Sequence, residues 1–73
     1  SSTVLNFDLP VPSEVTVTIF SIEGREIEKR ELGLLETGSH SFRYEAENLV
    51  SGNYILRLNA GGFTASKKFT YLK

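Results

Sequence analysis

The chain has 73 residues, a net charge of −1 and no cysteine or tryptophan. A single domain of this size buries roughly 60% of its unfolded-chain surface, which leaves no room for a full core beside an elaborate enzyme pocket. Without cysteine there is no disulfide and no thiolate metal site, the near-neutral charge offers no basic face for nucleic acid, and no apolar run is long enough for membrane insertion as a helix.

Short β-rich runs separated by turn residues predict an all-β, immunoglobulin-like antiparallel sandwich of about seven short strands, with residues 1–73 as one domain. The first strand spans Thr3 to Leu9 with Leu5, Phe7 and Leu9 facing in, and Pro10-Val11-Pro12-Ser13 ends it because proline cannot donate to a central ladder. Glu14 to Ile22 follows, dense in β-branched residues. Val15, Val17 and Ile19 face in there, and Thr16 and Thr18 face out.

Glu23-Gly24 turns the chain into a strand over Arg25 to Leu32, with Ile27 and Leu32 as its apolar anchors. A helix competes here, because Glu26 and Arg30 have i,i+4 spacing. The hairpin turn before the segment demands a partner for the preceding strand, so a charged edge strand is preferred. Gly33 to Gly38 reads as a loop. Ser39 to Ala46 is the next strand, with His40, Phe42 and Tyr44 on one face, and Glu47 to Gly52 crosses over.

The last third alternates at period two: Tyr54, Leu56 and Leu58 share one face, and Asn53, Ile55, Arg57 and Asn59 the other. Gly52 stands where a turn favours a residue tolerant of positive φ. Asn59-Ala60-Gly61-Gly62 turns the chain back into Phe63 to Lys73. Phe7, Phe42, Tyr44, Tyr54, Phe63, Phe69 and Tyr71 all fall on inward phases. Lys67 shares the inward phase of the last strand, so either its head snorkels to water at the sandwich rim or a bulge resets the phase.

No catalytic set is visible. His40 is the sole histidine, and its neighbours Ser39 and Ser41 point to the opposite face of the strand, out of reach for proton sharing. Glu26, Glu28 and Glu31 read as a solvated face rather than an acid–base pair. One histidine with scattered acids has no metal-ligand spacing. The expectation is a non-enzymatic domain with no cofactor.

Leu49-x-x-Gly52-x-Tyr54, the glycine turn and the Lys67-Lys68-Phe69 ending resemble the C-terminal sorting domain of the type IX secretion system (type A), found at the ends of exported proteins in Bacteroidetes and relatives. Upstream, Ser2 to Pro10 resembles the opening strand of that family, Val15 to Phe20 with Glu23-Gly24-Arg25 its second strand and turn, and Gly38-Ser39-His40 its central Gly-x-His element. The immunoglobulin-like domain of flagellar hook-capping proteins is similar. The chain departs from the family by lacking the short Asn- and Pro-containing segment before the first strand, and by Ser21, where many relatives carry an acidic residue or asparagine.

The resemblance implies a C-terminal module of a larger exported protein, with a cargo domain upstream in the same chain. It implies recognition by the secretion machinery, removal by a sortase-like protease, and arrival outside the cell or on its surface via the periplasm. Gly52, Tyr54, Lys67, Lys68, Phe69 and Lys73 are the candidate recognition residues. The alternative is an accessory spacer or weak carbohydrate-binding module of a secreted glycoside hydrolase, using Phe20 and an exposed tyrosine.

Overall fold

Period-two alternation decides which side chains are buried. In the computed structural model, which describes residues 2–73, the first strand, β1 (Ser2–Leu9), buries every second residue, Leu5, Phe7 and Leu9 among them. The other strands are β2 (Ser13–Ser21), β3 (Glu26–Leu35), β4 (Gly38–Glu45), β5 (Gly52–Ala60) and β6 (Phe63–Tyr71). They form two antiparallel layers. One is the pair β1-β4, and the other is four strands in the order β3-β2-β5-β6. The all-β sandwich is as expected, with six strands rather than about seven, because residues 46–51 cross between the sheets without pairing.

The two central strands of the wide sheet carry the core. Val15, Val17 and Ile19 of β2 pair with Ala60, Leu58 and Leu56 of β5, and all six are buried. From the narrow sheet, Leu5, Phe7, Leu9 and Tyr44 close on them, and Phe42 packs against this cluster half-buried. Thr18 points to the opposite face as expected, yet it is buried too. In register it lies between Lys29 and Arg57, whose long side chains cover a short one.

β3 departs most from expectation. It continues through Gly33 to Leu35, so the connection to β4 is only residues 36–37. Two bulges explain this. Ile19 pairs with Glu28 but Phe20 with Glu26, leaving Ile27 as the extra residue, and Val15 pairs with Gly33 but Thr16 with Glu31, leaving Leu32 extra. Gly33, at φ +82°, supplies the left-handed backbone that such a bulge uses. Ile27 is therefore exposed rather than anchored, and Leu32 packs against the core half-buried.

Asn59 and Ala60 belong to β5, and the β5–β6 hairpin turns on Gly61-Gly62 alone. Gly61 takes φ +61°, which glycine adopts without steric cost. The β2–β3 turn is tied by Ser21. Its hydroxyl accepts from the Arg25 N–H at 3.1 Å, and its backbone bonds both Gly24 and Arg25. An Asp or Asn side chain makes the same local bond, so serine at this position keeps the turn.

Replacing Ile19, fully buried at the centre of the wide sheet, with alanine should cost roughly 2–5 kcal/mol, a large share of a small domain's stability. A denaturant midpoint unchanged in Ile19→Ala would place this side chain outside the core.

Candidate functional site

The six candidate recognition residues do not form one surface. Tyr54 and Phe69 sit opposite each other on β5 and β6, with rings stacked at 5.8 Å and 27°. Tyr44 of the narrow sheet meets Phe69 edge-on at 5.9 Å. Tyr54 is buried, and its hydroxyl donates to the Val50 carbonyl four residues back. That bond closes the crossover. Leu49 is buried beneath it, and the left-handed turn falls on Asn48 at φ +63°. Gly52 takes the positive φ expected of it, +159°, which L side chains rarely adopt, and pairs with Tyr71. The Leu49-x-x-Gly52-x-Tyr54 pattern is thus a packing lock at one end of the sandwich.

The lysine pair is split. β6 pairs with β5 without a register shift, so Lys67 stays on the inward phase opposite Leu56, and Lys68 on the outer face opposite Ile55. Lys67 reaches across to the narrow sheet, where its ammonium donates to the Val4 carbonyl at 2.8 Å. Lys73 lies past the strand, exposed, its N–H donating to the Ser51 hydroxyl at 3.0 Å. Phe63, expected inside, is 39% exposed, because β6 is a flank strand and its first residue lies beyond the cover of the narrow sheet.

The opposite flank carries a second cross-sheet contact that sequence reasoning missed. Glu28 and Arg30 occupy the inward row of β3. The Arg30 Nε donates to Glu28 at 2.6 Å, the Tyr44 hydroxyl donates to the same carboxylate at 2.9 Å, and the guanidinium lies 5.3 Å from the centre of the Tyr44 ring. The hydrogen bond from Arg30 holds the Glu28 carboxyl below its ordinary value, burial opposes this, and the Tyr44 bond adds to the lowering. Burial, and then the bond to Glu28, pushes the Tyr44 hydroxyl up to about 12. The i,i+2 spacing of Glu28 and Arg30 was legible, but Tyr44 is sixteen residues away.

His40 stacks on Phe7 at 5.5 Å, and its Nε2 lies 2.7 Å from the Glu36 carbonyl, so that nitrogen carries the proton. Ser39 and Ser41 donate instead to Asp8 and Asn6. Among the described residues no three His, Cys, Asp or Glu side chains converge as metal ligands. Phe20 lies half-buried under the Arg57 guanidinium, 4.8 Å from its ring centre, and all three tyrosines are buried. The bare aromatic platform of a sugar-binding face, expected from Phe20 and an exposed tyrosine, is not formed. A groove of about 450 Å³ between the β2–β3 turn and the crossover is lined by Ile22, Arg25, Ile27 and Val50 among others.

Residues 1–71 match the family described as the secretion system C-terminal sorting domain. The match decides between the two families that the sequence resembles. No curated protein matches the chain.

The Tyr44–Glu28 contact gives stability a defined pH dependence. A carboxyl lowered on folding contributes above its ordinary value, and this is lost as pH falls through the folded value. A raised tyrosine contributes fully below 10.0 and loses that contribution as pH rises toward about 12. Tyr44→Phe should therefore cost about 1–2 kcal/mol at neutral pH, and the gap to wild type should narrow at about pH 11. Urea midpoints at both pH values check this, and a gap constant with pH would contradict it.

Proposed function

Because the chain belongs to the secretion system C-terminal sorting domain family, we propose that it is a non-enzymatic address for export. In this reading it is the C-terminal module of a larger protein, and it directs a cargo domain upstream across the outer membrane to the cell surface or medium. The secretion machinery reads it, and a sortase-like protease then cuts upstream of it. The family match over residues 1–71 carries the proposal. The placement of β6 supports it: this strand pairs only with β5 and lies at the edge of the wide sheet, where a receptor can add a strand.

Gly52, Tyr54 and Phe69 serve this role by holding β6 in place, whereas Lys68 and Lys73 are presented to solvent. A carbohydrate-binding role has less support, since Arg57 covers Phe20.

The test is a periplasmically exported reporter fused ahead of this chain, in a bacterium with a type IX machinery. The reporter should reach the medium, and removal of Phe69 to Lys73 should hold it in the periplasm. His40→Ala should leave export intact and alter only stability. Secretion of the reporter without the domain would rule the proposal out.

A further inference from the structure

Charge is segregated along this chain. Residues 1–47 carry four cations against nine carboxylates, a net of −5, while residues 48–73 carry Arg57, Lys67, Lys68 and Lys73 and no acid, a net of +4. The fold keeps that separation in space, because β5 and β6 are neighbours at one side of the wide sheet. Arg57 and Lys68 lie on their outer face, opposite Ser66 and Ile55 respectively. Among the described residues the ion pairs are Arg30–Glu28 and Arg43–Glu45, both on other strands. Among the described residues no carboxylate forms an ion pair with a cation of the hairpin.

We propose that the outer face of the β5–β6 hairpin, centred on Arg57 and Lys68, docks an acidic surface of a protein partner. It rests on the sorting reading for the identification of that partner with the export machinery. Three features favour a protein. Hydrogen bonds from Thr64 to Asn59 and from Thr70 to Asn53, at 3.1 and 2.8 Å, fix polar groups on both sides of the two cations. The adjoining edge of β6 offers backbone groups to a strand. Within Asn53–Asn59 and Thr64–Thr70 no large exposed apolar side chain is present to enter a bilayer, the exposed Leu72 lying past the end of β6, and cations alone contribute only about 1 kcal/mol each at an anionic membrane. Complementary charge of this kind steers encounter and weakens with salt.

Two measurements test the proposal. Titrating the chain with poly-L-glutamate in about 50 mM salt should shift amide resonances of Asn53–Asn59 and Thr64–Thr70, and the shifts should vanish in about 500 mM salt and in Arg57→Glu/Lys68→Glu. No shifts, or shifts centred on β1 and β4, would overturn the proposal. In the reporter assay, Arg57→Glu/Lys68→Glu, shown to be folded by circular dichroism, should lower the secreted fraction roughly tenfold. Arg57→Lys/Lys68→Arg should be secreted normally, as should Arg25→Glu/Arg43→Glu, which changes net charge equally. Wild-type secretion of the folded Arg57→Glu/Lys68→Glu protein would also overturn it.

Flotation with phosphatidylglycerol vesicles that replaces poly-glutamate binding would assign the face to lipid and overturn the proposal. Self-association abolished by Arg57→Glu/Lys68→Glu would do the same in favour of a second copy. A reporter that the wild-type chain fails to export, with the titration as expected, would remove the sorting reading and leave the acid-binding face standing.

Discussion

Two strands cannot cover four. The narrow β1-β4 sheet lies over a sheet twice its strand number, so only β2 and β5 are fully roofed. Val17, Ile19, Leu56 and Leu58 on those strands are at most 1% exposed. On the flanks the inward rows are partly open to water, and apolar side chains there would gain little from burial. The chain places charge instead: Glu28 and Arg30 on β3, Lys67 on β6. On β3 this inward-facing charge also guards the edge strand against pairing with other chains. Each flank then uses its charge to reach the narrow sheet, β3 through Tyr44 and β6 through the Val4 carbonyl.

That division separates packing from presentation. In the Leu49-x-x-Gly52-x-Tyr54 pattern, Leu49 and Tyr54 are buried, and Tyr54 locks the crossover from within. Phe69 is wedged between two tyrosine rings. Residues that identify the domain in a sequence are here the ones that shape it. Ser21 illustrates the same point. Its job is a hydrogen bond to the next turn, which asparagine or aspartate performs equally well, so the departure at this position alters no surface.

Legibility followed periodicity. β1, β2 and β5 were readable with their inward residues, because each is unbroken and one face is buried. β3 was not, since Ile27 and Leu32 are five positions apart and cannot face the same way without a phase reset. The two bulges fall on these two residues and depend on pairing with β2, which leaves Ile27 exposed and Leu32 half-buried, and Gly33 consequently reads as the start of a loop. The phase of Lys67 was readable, but its acceptor lies 63 residues away. Phe63 fails for the same reason as the flanks: an inward phase buries a side chain only where there is something above it. Of the candidate site, the residue types were visible, while the separation of Lys67 from Lys68 onto two faces follows from uninterrupted β6 pairing.

The overall charge of −1 conceals the feature with the longest reach. Nine carboxylates on the first 47 residues give that part of the chain a net charge of −5, so Arg57 and Lys68 on the outer face of the terminal hairpin stand as a positive patch on a negative body. Such an arrangement orients a small domain in the field of a charged partner before contact. Because Arg57 is held on the Phe20 ring and not in an ion pair, its guanidinium need not break a salt bridge to engage a carboxylate. The stability of the domain is carried by the central rows of the sandwich, so the hairpin's outer face can change its charge without changing the core, and recognition can be altered there at little cost to folding.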